Sequence, residues 1–256
     1  MSEHITTQPV WRFRDGIIVL FTAIAAFALL SWAHMAIVTR TVGMENYLGG
    51  GERLPASILV ISQATKAAAI LGALWLAGLL PKKLGWAAVG LRPARTHWLV
   101  LGAIAGLVFV GTGLLLVKGL VALMPQWAGF ARAPFAFDAA NSGLVIAAFM
   151  LMTFALTPFA EEVFFRGFLY KWMKGHRPAW IAALVSSAIF GVSHIVPPQA
   201  INAFAMALVL VWLYEKSGSI WPAIIAHGVN NAVGTGLAAL AAHGHLPAFL
   251  TPPAVS

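Results

Sequence analysis

The segment PFAEEVFFRGFLY, from Pro158 to Tyr170, places two adjacent glutamates and an arginine inside an otherwise apolar stretch. The apolar residues continue on its N-terminal side, and a run of this length is typical of a helix that crosses a lipid bilayer. Charged side chains are costly in the hydrocarbon region, so those found there face the interior of a helix bundle and usually mark function. The segment therefore predicts a membrane-spanning helix that contributes to a functional polar site.

The composition of the whole chain indicates a membrane protein. Of the 256 residues, 60% are hydrophobic and 9% are charged, which is more apolar than a water-soluble domain of this size needs. Cysteine is absent, which excludes disulfides and thiolate metal ligands. The net charge of +8 resides in short loops between apolar runs, and the chain has no nucleotide-binding glycine motif. The lipid bilayer is therefore an expected partner, and nucleic acid is not.

The apolar runs predict an all-α, polytopic transmembrane helix bundle of about seven spans, with eight as the upper count. A spanning helix needs about 20 mostly apolar residues. The runs cover residues 17–38, 56–80, 97–124, 143–170, 179–196, 200–215 and 219–242. The fifth and sixth runs are short and meet at VPPQ, Val196 to Gln199, so a partly re-entrant segment is the alternative there.

The basic residues of the loops indicate the orientation. With the N-terminus in the cytoplasm, ten of them lie inside and three outside, which is a positive-inside bias. The inner group is Arg12, Arg14, Lys82, Lys83, Arg92, Arg95, Lys171, Lys174, Arg177 and Lys216, and the outer group is Arg40, Arg53 and Arg132. We expect a multi-pass protein of a bacterial inner (plasma) membrane, since the composition is rich in alanine, with its N-terminus in the cytoplasm.

The last four spans contain a cluster of polar residues. Its members are Glu161, Glu162, Arg166, His194, His227, Asn230 and Asn231. A rise of 1.5 Å per residue places Glu161 roughly 14 Å, and His194 roughly 21 Å, from the cytoplasmic ends of their spans. By the same measure, His227 and Asn231 lie roughly 12 and 18 Å into the seventh span. Three helices thus bring polar residues to a similar level of a core about 30 Å thick, which predicts one shared site.

Helical spacing assigns a role to each member of this cluster. Glu162 and Arg166 are four residues apart and are predicted to form an ion pair. Glu161 is turned about 100° from Glu162, so we interpret it as the freer carboxylate and as a general base. His227 and Asn231, also four apart, provide hydrogen-bond donors for an oxyanion. The alternative is that the glutamates only balance Arg166 and the histidines only pack.

A metal is a second possibility that the sequence leaves open. Glu161, His194 and His227 offer a carboxylate and two imidazoles, a set known for catalytic zinc with an open water position. The zinc-protease signature HExxH is absent from the chain. Glu161 and His194 therefore activate water either directly, which we favour, or through a divalent metal such as zinc.

Two features of the earlier spans also bear on the bundle. Lys66 lies in the middle of the second span near Gln63. It can pair with a site carboxylate or contact a substrate carboxylate, but we favour a packed or snorkelling lysine. Gly102 and Gly106 of LGAIAG form a small-residue face that predicts close helix packing.

Three short motifs carry a resemblance to a known family. EEVFFR at 161–166 fits EExxxR, FGVSH at 190–194 fits FxxxH, and HGVNN at 227–231 fits HxxxN. In their order and spacing they resemble the CPBP family, the CAAX proteases and bacteriocin-processing or self-immunity proteins, which are multi-helix intramembrane endopeptidases. The resemblance covers about residues 143–235.

The resemblance implies a role for each motif residue. The family pattern makes Glu161 and His194 the water-activating pair, His227 and Asn231 the oxyanion donors, and Glu162 and Arg166 supporting residues. The chain then divides into N-terminal variable transmembrane helices at 1–142, a CAAX-protease-like catalytic core at 143–242 and a short tail at 243–256.

The expected function is hydrolysis of a peptide bond in a membrane-associated protein or peptide. Two other classes of protein use similar polar residues. Intramembrane Glu, His and Lys also build proton-coupled transporters. A non-catalytic immunity or scaffold protein is the third alternative.

Overall fold

The computed structural model describes residues 10–41, 43, 56–127, 143–242 and 245. This part of the chain forms seven main helices, labelled α1 to α7 in chain order, and contains no strand. Five have simple bounds: α1 Phe13–Thr41, α3 Thr96–Leu123, α5 Ala179–Val192, α6 Pro197–Ser217 and α7 Trp221–Ala242. The second, α2, is α-helical at Ala56–Ala73 and continues as the π-helical segment Leu74–Leu79. The predicted all-α helical bundle is therefore confirmed, and the predicted tail at 243–256 lies outside the described residues except for residue 245.

The fourth helix, α4, is one helical rod at residues 143–174 in which wider π-helical turns interrupt the α-helix. Its segments are α-helical Gly143–Leu151, π-helical Met152–Leu156, α-helical Thr157–Glu162, π-helical Val163–Tyr170 and α-helical Lys171–Lys174. π-Helical turns are rare and often occur at functional sites. Here they flank the short α-helical segment that carries both glutamates of the EEVFFR motif.

Among the described residues, five helices are long and apolar enough to cross a membrane. These candidate spans are Phe13–Arg40, Val60–Lys82, Thr96–Leu123, Ala147–Lys174 and Pro197–Ser217. The run predicted at 179–196 instead forms α5, which has only 14 residues. At 1.5 Å per residue it extends roughly 21 Å, less than the bilayer core of about 30 Å. The partly re-entrant alternative fits this short helix and the turn that follows it.

The helices α3 and α7 approach each other at the two glycines of LGAIAG. A Cβ atom added at Gly102 would lie 2.4 Å from the carbonyl oxygen of Pro222, and one at Gly106 would lie 2.4 Å from that of Ala226. Only glycine permits this backbone contact. The predicted close packing is confirmed, and it holds α7 at the residue directly before His227.

The interior of the bundle is centred on α4. Every residue from 161 to 170 is buried, including the charged side chains. The N-terminal Trp11 also packs here, because its Nε1 donates to the carbonyl oxygen of Gly78 at 3.0 Å and its ring meets Phe168 edge-on at 5.4 Å. The helix that carries the glutamates is therefore surrounded by the other elements.

Candidate active site

Glu162 forms the centre of a buried ionic cluster. Arg166 Nη1 donates to Glu162 Oε1 at 2.9 Å, and His227 Nδ1–H donates to the same oxygen at 2.8 Å. The three residues are 0%, 1% and 1% exposed, in that order. The four-residue spacing predicts the Glu162–Arg166 pair, and the structure contains it. Buried charge is tolerated only when it is paired and hydrogen-bonded. Because Glu162 is held by Arg166 and also accepts from His227, it fixes the orientation of the His227 ring.

Phe190 packs against three of the polar residues. The guanidinium carbon of Arg166 lies 4.3 Å from the centre of its ring. The imidazole of His194 meets the ring at 4.8 Å and that of His227 at 5.8 Å between centroids, both in edge-to-face geometry. Sequence reasoning gave Phe190 no role, although the FxxxH spacing places it on the same face as His194. The shared ring brings the two histidines into one site.

Glu161 is buried but is not the freer carboxylate that the sequence predicts. It is 2% exposed, and Lys66 Nζ forms an ion pair with its Oε1. Its other oxygen, Oε2, lies 3.7 Å from Nε2 of His227. The interpretation of Lys66 as a packed or snorkelling lysine is wrong, because α2 lies against α4 at this depth and brings the ammonium group to the carboxylate.

A second polar contact joins the same two helices. Thr157 Oγ1 donates to Gln63 Oε1 at 2.5 Å. Gln63 and Lys66 lie three residues apart on α2, whereas Thr157 and Glu161 lie four apart on α4, so both pairs lie along the facing sides of two helices. The spacing of Gln63 and Lys66 on one side of α2 is the sequence signal that points to the contact between Lys66 and Glu161.

His194 lies in the turn that follows α5. Its Nδ1–H donates to the carbonyl oxygen of Phe190 at 2.9 Å, which leaves Nε2 for other partners. The ring is partly buried, and it lies within electrostatic reach of Glu161, Lys66 and His227. The structure therefore brings His194 to the same site as the other two motifs.

Asn231 lies one turn beyond His227 on α7 and faces α4. Its Nδ2 donates to the carbonyl oxygen of Thr153 at 3.5 Å, and its Oδ1 accepts from Asn230 at 3.3 Å. Within the described part of the chain, Asn231 shares no hydrogen bond with Glu161 or His227. It borders the cluster from the side of the first π-helical stretch.

Several buried polar atoms of the site have no hydrogen-bond partner among the described residues. They are Glu162 Oε2, Arg166 Nη2 and Thr153 Oγ1. Buried polar atoms normally have a partner. These three atoms therefore have hydrogen-bonding capacity that the described residues do not use.

The residues that the sequence offers as metal ligands do not fit a metal. Among the residues that the structure describes, no three His, Cys, Asp or Glu side chains are arranged to hold an ion. The ammonium group of Lys66 already lies on Glu161, whereas the Nδ1 atoms of His194 and His227 bond to a carbonyl and a carboxylate and leave Nε2 of each ring for other partners.

The fold and the site together define an integral membrane protein with a buried polar centre between its helices. Residues 143–233 match the family model described as "Rce1-like: Type II CAAX prenyl endopeptidase Rce1-like". The matched segment begins with α4 and includes all three motifs, and the match is consistent with the CPBP resemblance. The comparisons with curated proteins and with solved structures found no match. Lys66 and α1 to α3 lie outside the matched segment.

Proposed function

We propose that this protein is an intramembrane endopeptidase that hydrolyses a peptide bond of a membrane-associated protein or peptide. The proposal rests on Glu161, a carboxylate 2% exposed within an Rce1-like domain, whose Oε2 lies 3.7 Å from the imidazole of His227. A carboxylate held in a dry interior beside imidazoles suits the activation of water.

Glu161 and His194 act on the water molecule. Lys66 engages Oε1 of Glu161, so Oε2 is the oxygen that takes the proton. The water oxygen attacks the scissile carbonyl carbon and forms a tetrahedral intermediate. The carbon–nitrogen bond then breaks as Glu161 or His194 delivers a proton to the leaving amine, which restores the starting state of the protein.

His227 and Asn231 stabilise the oxyanion of this intermediate. With Nδ1–H donating to Glu162, Nε2 of His227 carries a hydrogen only when the ring is an imidazolium. The amide of Asn231 has two N–H groups, of which one bonds to the carbonyl of Thr153. Glu162 and Arg166 support the site because they hold the His227 ring in place.

The surroundings of His194 favour a substrate with an apolar part. Val192 is 74% exposed and Ile195 is 87% exposed, so apolar side chains border the histidine on both sides in sequence. In a bilayer this surface contacts lipid or the apolar part of a bound peptide. We place the N-terminus in the cytoplasm because of the positive-inside bias of the loops. The alanine-rich composition favours a bacterial inner membrane.

The test uses the purified full-length protein in liposomes with two internally quenched peptides, one carrying a prenylated cysteine and one unmodified. We expect the wild type to cleave at least one peptide and Glu161→Gln to cleave neither. Glu215→Gln is the matched control, because Glu215 lies in an exposed pair with Lys174. Equal cleavage by wild type and Glu161→Gln would remove Glu161 from the mechanism.

The rival classes give different results in the same preparation. A scaffold cleaves neither peptide and retains its partners in Glu161→Gln. A proton-coupled transporter acidifies or alkalinises the liposome lumen when its solute is added, which a trapped pH dye detects. Cleavage that depends on Glu161, without a change in lumenal pH, supports the endopeptidase.

A further inference from the structure

Lys66 is a charged residue of the site that neither takes nor gives a proton in the water-activating mechanism. It lies on α2, outside the matched segment 143–233, yet its ammonium group forms an ion pair with Glu161. Its side chain is 31% exposed and that of Glu161 is 3% exposed, so the lysine reaches the carboxylate from the edge of the buried cluster. The neighbouring Gln63–Thr157 hydrogen bond holds α2 at this position on α4.

Lys66 compensates the negative charge of Glu161. Arg166 and His227 both contact Glu162, the second buried carboxylate. Of the cationic or imidazole groups in contact with Glu161 among the described residues, Lys66 lies closest and His227 lies farther away. An unpaired carboxylate in a membrane interior is costly, and general-base catalysis uses the ionised form.

The contact also distinguishes the two oxygens of Glu161. Lys66 holds Oε1, and Oε2 is the oxygen on the side of His227. Without the lysine, the carboxylate can rotate about its last side-chain bond and present either oxygen. The ion pair thus selects one orientation in advance of substrate binding, which is how preorganised sites keep a reactive group in place.

We propose that Lys66 is a positioning residue of the active site, which compensates the charge of Glu161 and directs its Oε2 toward the imidazole of His227. The N-terminal helix α2 thereby completes a site that the endopeptidase domain supplies only in part. This inference rests on the proposed function of Glu161 as the general base.

The first experiment measures the ion pair without reference to activity. Lys66→Met leaves Glu161 buried without its closest cation and should lower the Tm by roughly 5 °C or more. The double variant Lys66→Met with Glu161→Gln removes both charges and should recover most of this loss. The exposed pair of Lys174 and Glu215 is the control, since Lys174→Met should change the Tm little. Strictly additive effects of the Lys66 and Glu161 changes would overturn the inference.

The second experiment uses the absence of cysteine from the chain. In Lys66→Cys the only thiol is at this position, so 2-bromoethylamine converts it to a side chain with the length and charge of lysine. Iodoethane gives a neutral side chain of similar size, and Lys174→Cys treated in the same way is the control. We expect the unmodified variant to lose roughly 10- to 100-fold in kcat with little change in KM.

Rescue decides between positioning and packing. Recovery of kcat after aminoethylation but not after ethylation supports a role for the charge, and Lys66→Arg should retain part of the activity. Recovery with both reagents, or with neither, would overturn the inference. If the wild type cleaves no peptide, the proposed function fails, whereas the Tm coupling still reports the ion pair. If cleavage depends on Glu161 but not on Lys66, only this inference fails.

Discussion

The guanidinium group of Arg166 lies over the ring of Phe190, with 4.3 Å between its central carbon and the ring centroid. Cation–π contacts of this kind contribute most where both groups are removed from water. Phe190 is 0% exposed, and both imidazoles of the site meet the same ring. A residue with no polar atom thus packs against three polar members of the cluster.

Phe190→Leu should separate the effect of the ring from that of burial. Leucine keeps most of the apolar volume, so we expect a loss of unfolding free energy of about 1 to 2 kcal/mol. Cleavage should fall by roughly tenfold, because the two histidines lose the surface that orients them. Kinetics and thermal unfolding on the same preparation measure both changes. Phe21→Leu, at a residue 69% exposed, is the control, and an equal effect there would contradict the proposed packing role.

Glu162→Gln should lower the free energy of unfolding of the protein. The substitution removes the only carboxylate in contact with the buried guanidinium of Arg166 among the described residues. Breaking a buried pair by removing one partner costs about 3 to 5 kcal/mol, whereas removing both charges costs much less. Thermal unfolding of Glu162→Gln, and of Glu162→Gln combined with Arg166→Met, measures the coupling. A double variant no more stable than the single one would show that the pair does not set this cost.

Gly106→Ala should displace the helix that carries the oxyanion donors. The new Cβ would meet the carbonyl oxygen of Ala226 at 2.4 Å, so α3 and α7 must move apart. We expect a loss of about 1 to 3 kcal/mol in unfolding free energy, with a larger fall in cleavage rate than in stability.

The matched control is Gly111→Ala on the same helix. Nothing lies within 4 Å of a Cβ atom at this position, so alanine should be neutral or slightly stabilising. Equal behaviour of the two variants in unfolding and cleavage assays would mean that the close approach does not control the position of α7.

Chelation should leave the activity intact. No three potential ligands are grouped to hold an ion in the part of the chain that the structure describes, and Lys66 already compensates Glu161. The measurement is peptide cleavage before and after treatment with EDTA and with 1,10-phenanthroline, together with elemental analysis of the purified protein. Loss of activity on chelation, restored by adding zinc, would return Glu161, His194 and His227 to the role of metal ligands.

The amino-acid sequence by itself determined the helices and the relations within each helix. Apolar runs of spanning length define the bundle, and four-residue spacing places Glu162 with Arg166 and Phe190 with His194 on shared faces. The small residues Gly102 and Gly106 likewise mark a packing face. These properties are local, because helical geometry converts a spacing in sequence into a direction in space.

Only the tertiary structure decided which helices face each other. Lys66 and Glu161 are 95 residues apart in sequence, and no local rule relates them. The same holds for the bond between His227 and Glu162, which are 65 residues apart and take part in a cluster that spacing within one helix cannot predict. Periodicity tells which side of a helix is polar, whereas the depth and rotation at which two helices meet depend on the packing of the whole bundle. For that reason the sequence identifies Glu161 as a candidate base, whereas it offers a pair between Lys66 and a site carboxylate only as an alternative and does not select the carboxylate.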